Sequence, residues 1–146
     1  MKTEVLFQFA NVTAILGWAF LILGNSWSRR WPSMQPAIIS LGIALALSLA
    51  YGIGALFHLS PADLAQMNRL EGLQNFFARP GTALLGWVHF LAIDLAIGAW
   101  ISMDSKKENV APWLISPILA LTFLFGPLGF ALYFAVRKVR GLKTKS

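Results

Sequence analysis

Residues Gly86–Trp100 read "GWVHFLAIDLAIGAW", and what this stretch is decides what the whole chain is. It is apolar enough to cross a bilayer, yet it sets His89 and Asp94 where hydrocarbon belongs. Extended outward, it becomes a run from Thr82 to Met103, which meets the roughly 20 mostly apolar residues that a helix needs to cross the hydrocarbon core. Three more windows qualify by the same measure: Val5 to Trp27, Pro36 to Phe57, and Pro112 to Val136. With 57% hydrophobic and only 12% charged residues in 146, the composition excludes an ordinary soluble globule. It predicts an all-α integral membrane protein, a single domain over residues 1–146 with four transmembrane helices.

The first window follows Lys2 and resembles a signal peptide, but its apolar run is longer than an h-region and "LGNSWSRRW" lacks a small-x-small cleavage pattern. It is expected to stay as a helix. Pro32 and Pro36 break the chain before the second span, whose Gly42, Ala46, Gly52 and Ala55 offer small surfaces for helix contact. Between the second and third spans, Ser60, Pro61 and Asp63 form a helix start. Leu64, Met67, Leu70, Leu73 and Phe77 then recur at helical steps, predicting an amphipathic interfacial helix over 60–78. A plain surface helix on a connecting loop is the alternative.

Four crossings bring both termini and the connection between the second and third spans to one side. That side holds eight Lys and Arg against four on the other. The balance predicts an inner (cytoplasmic) membrane protein with both termini in the cytoplasm. The net charge of +6 is then accounted for by orientation and lipid headgroups, with no call for nucleic acid. There are no cysteines, which removes thiolate metal ligands and cysteine nucleophiles.

Asp94 lies near the middle of its span, where an ionised carboxylate costs roughly 2.5–3.5 kcal/mol on insertion scales. An intramembrane acid is therefore a functional-site candidate, and in a greasy setting a neutral carboxyl can serve as a proton donor. The competing reading is a hydrogen-bonded or neutral Asp94 that only fixes helix packing. His89, five residues earlier, sits about 140° around and about 7.5 Å along an ideal helix, so the two do not pair on one face. They can still form two walls of one site. His58 falls at a span end about 10 Å shallower than His89, which disfavours a bis-histidine haem, and two histidines without thiols make no zinc pattern. Neither cofactor nor metal is expected.

Trp87 and Gly98 share the face of Asp94. Asn11 is placed to meet His89 if the first and third spans pack together. Trp18 and Trp87 lie deep enough to stack on a ligand, whereas Trp27, Trp31, Trp100 and Trp113 mark span ends, as in an aromatic belt. In the last span, Pro127 between Gly126 and Gly129 predicts a kink and a freed Phe123 carbonyl.

"ANVTAILGWAFLILGNSW", "LQNFFARPGTALLGWVHFLAIDLAIGAWISMD" and "LTFLFGPLGFALYF", in that order, resemble the plant abscisic-acid-deficient family involved in neoxanthin formation and its bacterial relatives. The most specific part runs from Trp87-x-His89 to Asp94, with Asp104 following and Phe125-x-Pro127-x-Gly129 closing. Plant members carry an acidic-Thr-Arg-His segment where this chain has "SKKENVAPWLISP", without Arg or His. The resemblance implies a small four-helix membrane protein that binds or isomerises a carotenoid or other isoprenoid. The associated conversion opens an epoxide and forms an allene without net oxidation, which asks for a proton donor and a base but no redox cofactor. Asp94 and His89 are the expected pair, with Trp87, Asn11, Trp18, Gly98 and Asp104 around the substrate. The alternatives are a non-catalytic lipid-binding partner of another membrane enzyme, or a proton-relay component. Four helices enclose little volume, so a homodimer or an enzyme partner is also expected.

Overall fold

The computed structural model describes residues 2–26 and 34–143, with side chains through 139 except that of Ser26. Trp27, Arg29, Arg30, Trp31, Pro32 and Lys145, and the side chains of Arg140 and Lys143, lie outside the described residues. The described chain forms six helices: α1 (Lys2–Ser26), α2 (Gln35–His58), α3 (Pro61–Gln66), α4 (Leu70–Ala78), α5 (Pro80–Lys107) and α6 (Pro112–Lys143). Four of them, α1, α2, α5 and α6, are long and apolar enough to span a membrane, and large apolar side chains such as Leu56, Phe57 and Phe9 face outward. The chain is an all-α membrane protein.

Helix α5 is the central element, with α1, α2, α4 and α6 all packed on it. Small residues bring the axes close. A Cβ at Gly17 of α1 would lie 2.7 Å from Leu95, and one at Gly54 of α2 would lie 2.9 Å from Leu85. The Ser40 hydroxyl of α2 donates to the Gly17 carbonyl of α1 at 2.8 Å, linking two helices by a bond that no water competes for. The buried stripe of α2 is Ala37, Ser40, Ala44 and Leu47. The small residues expected to make the contact, Gly42 and Gly52, instead have open space where a Cβ would stand. Both faces of α2 are apolar, so periodicity alone does not tell the packed stripe from the lipid-facing one.

The amphipathic segment is present but is two helices, not one run over 60–78. Helix α3 starts with a capping box in which Ser60 and Asp63 satisfy each other's backbone. Those Ser60 bonds, with Arg79 bonded to Asp63 at 2.6 Å, hold the Asp63 carboxyl below the usual carboxylate range. The extended backbone of Arg69 then starts α4, where Gly72 passes so near the Gln66 carbonyl that a Cβ would overlap it. Leu64, Leu70 and Phe77 point outward while Phe76 is buried, as an interfacial position requires.

The fourth apolar run departs most from a simple span. Phe125 leaves the helical conformation (φ −143°, ψ 58°) just before Pro127, where a backbone N–H is missing. The bend is a reversal. Near the start of α6, Asn25 of α1 donates to the Pro112 carbonyl at 3.3 Å. Further on, the Tyr133 hydroxyl donates to Asp104 at 2.5 Å, and Arg137 reaches Glu108 at 3.0 Å and Asp104 at 3.4 Å. Arg137 thus returns to the end of α5 that directly precedes Pro112. A straight helix from 112 to 137 would separate its ends by about 37 Å, beyond the reach of any side chain. At the apex, a Cβ on Gly129 would come within 2.5 Å of the Thr122 backbone nitrogen, although seven residues of straight helix rise about 10.5 Å. The first half of α6 therefore descends from the α5 end to mid-bundle, and the second half climbs back beside it.

The expectation that both termini lie on one side rested on four complete crossings. The last described residues instead lie at the end of the bundle that carries Ser26 and Lys107, opposite Lys2. The close fit at the apex sets a test. Gly129→Ala should cost about 1–3 kcal/mol by overpacking, read as thermal unfolding in detergent, whereas Gly42→Ala should be neutral or mildly stabilising.

Candidate functional site

The sequence places Asp94 thirteen or fourteen residues from either end of α5, and α6 brings its apex to that same depth. A Cβ on Gly126 would overlap the Asp94 carboxyl, so only glycine lets the carboxyl sit against the broken backbone. Gly126 and Gly129 are buried and Asp94 is half-buried. Among the described residues Asp94 makes no hydrogen bond. The mid-bundle acid thus stands at the point where helical bonding in α6 is interrupted, with its oxygens uncommitted.

Because α6 turns back at this depth, it covers only one half of the outward face of α5. Above Asp94, Ile101 is fully buried, and Trp100 packs with Phe130, Tyr133 and Phe134, stacking on the last with ring centroids 5.6 Å apart. Trp100 is therefore a packing residue rather than a belt marker, while Trp113 is exposed as a belt residue should be. Below Asp94, Trp87, Phe90 and Ile93 remain 44%, 55% and 45% exposed. This uncovered apolar strip is the step, or notch, that α6 leaves on the outer surface of α5. His89 and Asp94 mark its two edges. Counted at 100° per residue, Phe90 and Ile93 lie between them on the outward side, and His89 is itself exposed. The two ionisable groups thus flank one apolar strip.

The other expected site residues fall into three separate places. Asn11 does not face His89. Its side-chain oxygen accepts from the Trp87 indole at 2.8 Å and its amide donates to the Phe7 carbonyl at 3.0 Å, holding Trp87 at the lower rim of the notch on the α1 side. His89 packs instead against Tyr51 of α2, with ring centroids 5.1 Å apart. Trp18 is 3% exposed, lying on Gly98, where a Cβ would come within 2.5 Å of its ring, and against Phe123 at 5.4 Å. It fills the seam of α1, α5 and α6, and Gly98 makes room for it. Asp104 lies at the far end of α5 with Tyr133 and Arg137, away from the notch. His58 stands over Gly81 at the start of α5, well short of the depth of His89.

Tyr133, Arg137 and Gly126 are structurally decisive and were not among the expected residues. A signal existed for the first two. A tyrosine in an apolar run needs a hydrogen-bond partner when buried, and Arg137 follows it by four residues on the same face, so together they point to an acidic partner on another helix. Nothing local marks Gly126 as the seat of the carboxyl, because Asp94 is 32 positions away. If Trp18 is a packing residue, Trp18→Ala should cost about 3–5 kcal/mol in thermal unfolding. Unchanged stability would instead return it to the ligand site.

No curated protein and no solved structure matches this chain. A family model does, over residues 5–133, and its description is ABA DEFICIENT 4-like. The matched segment takes in α1 through Tyr133, and so the notch, the folded-back helix and the Asp104 contact: the chain belongs to the ABA DEFICIENT 4-like family.

Proposed function

We propose that this protein binds a carotenoid or other isoprenoid in the lateral notch and isomerises it by proton transfer, with Asp94 as the acid and His89 as the base. It does so in the cytoplasmic (inner) membrane. The observation that carries this reading is the uncommitted carboxyl of Asp94, set at mid-bundle beside an apolar strip open to lipid. A membrane-dissolved substrate reaches such a site sideways, without passing through water. Its rings and chain lie on Phe90 and Ile93, with the Trp87 indole at the rim, and its oxygen meets Asp94.

In hydrocarbon a neutral carboxyl donates well to an ether or epoxide oxygen, and the imidazole across the strip accepts a proton from a C–H next to the opening ring. The epoxide C–O bond breaks, one proton moves onto oxygen and one leaves carbon, so mass is conserved and no redox cofactor is consumed. Membership of the family supports a carotenoid-related role, and the notch supports a hydrophobic ligand. Asn11, Trp18, Gly98 and Asp104 act behind this surface, by holding Trp87, filling the core and fixing the end of α5.

Purified protein supplied with an epoxy-carotenoid in mixed micelles should yield a product of unchanged mass and altered retention. Asp94→Asn keeps the shape of the side chain and should lower the rate about 10²–10⁴-fold, as loss of a general acid or base does. His89→Ala should act in the same direction. Wild-type rates in both variants would overturn the assignment, while retention of unaltered pigment by all three proteins would leave a binding protein without catalysis.

A further inference from the structure

The folded-back α6 carries a consequence for membrane orientation that is independent of what the notch binds. Two ends of the bundle are defined by contacts. At one, Asn25 of α1 holds Pro112, and Arg137 holds Glu108 and Asp104. The end of α1, the start of α2, the α5–α6 turn and the last part of α6 all meet there. At the other, Lys2 begins α1, and α3 and α4 fold beside the start of α5, with Thr82 bonded to the Phe76 carbonyl.

Of the nine described Lys and Arg, Lys2, Arg69 and Arg79 belong to segments at this second end. The other described six are Lys106 and Lys107 at the close of α5 and Arg137, Lys138, Arg140 and Lys143 in the last part of α6. Four full crossings give eight against four with the N-terminus on the richer side. Among the described residues, the observed path gives six against three with the N-terminus on the poorer side.

We infer that the protein sits with the end of α1, the start of α2, the α5–α6 turn and the last part of α6 on the cytoplasmic side. The N-terminus and α3–α4 then lie on the opposite side, and the Asp94 notch opens into the non-cytoplasmic leaflet. The physical cause is the retention of Lys and Arg on the cytoplasmic face during insertion, reinforced by attraction of the basic end to anionic headgroups of that leaflet. The notch lies below the α6 apex, in the half of the bundle nearer α3 and α4. A lipid-soluble ligand would therefore enter from the leaflet facing away from the basic end. This replaces the orientation expected from the sequence, because the C-terminal cations move to the other side once α6 reverses.

The absence of cysteine from the chain makes the test direct. Glu71→Cys, Lys107→Cys and Lys138→Cys are each made in the full-length protein, expressed in a bacterial cell and exposed to a membrane-impermeant maleimide. Labelling after solubilisation in denaturant serves as the measure of total thiol. Glu71→Cys should react in intact cells, while Lys107→Cys and Lys138→Cys should both be protected until the cells are lysed. If Lys138→Cys behaves like Glu71→Cys and opposite to Lys107→Cys, the last helix crosses fully and the inference fails. If Lys107→Cys and Lys138→Cys both react from outside while Glu71→Cys does not, the reversal stands and the orientation is overturned. Neither result depends on isoprenoid turnover, so failure here and failure of the proposed chemistry are separately readable.

Discussion

An interrupted helix in the middle of a membrane has backbone groups that lipid cannot satisfy, each costing several kcal/mol if left bare. Irregular backbone at that depth survives only where protein or a polar group shelters it. The interruption at Phe125–Pro127 is the constraint on which the rest of this molecule depends. Gly126 and Gly129 are buried against α5 and against the first half of α6, and the one mid-span carboxyl of α5 lies directly on Gly126. The carboxyl that is expensive in a plain span thus lies against the broken backbone without a hydrogen bond to it.

From that reversal follow the two halves of the molecule. The returning arm of α6 brings Tyr133 and Arg137 to Asp104 and Glu108, so the upper half of α5 is enclosed and its polar end is paired. The lower half of the same face is left with Phe90 and Ile93 exposed. A complete fourth crossing would have covered both halves and sealed Asp94 from the bilayer. By stopping at mid-bundle, α6 leaves the half-buried Asp94 carboxyl beside that exposed strip.

Much of this was legible in the residues. The four apolar runs needed only the length of a helix across hydrocarbon, and the Gly126-x-x-Gly129 surroundings of Pro127 announced a break. How far the break turns was not legible, because a mild proline kink and a reversal share the same local sequence. The deciding contacts, Tyr133 to Asp104 and Arg137 to Glu108, link residues 29 apart. Helical geometry correctly separated His89 from Asp94, yet it could not say that Phe90 and Ile93 between them face lipid, since that depends on where α6 stops. Asn11 was assigned to His89 on the premise that α1 and α5 pack together. They do pack, but the face of α5 turned to α1 carries Trp87, while His89 is turned to α2.

The central claim is that the last apolar helix returns to the end from which it starts. Spin labels on Trp113→Cys and Val139→Cys, both at exposed positions in a chain with no other thiol, measure this by pulsed dipolar spectroscopy in lipid nanodiscs. A reversed helix brings the labelled backbone positions to the same end of the bundle, well under the about 39 Å that 26 residues of straight helix would span. A distance distribution centred near that straight-helix length would contradict the account, together with the notch and the orientation that rest on it.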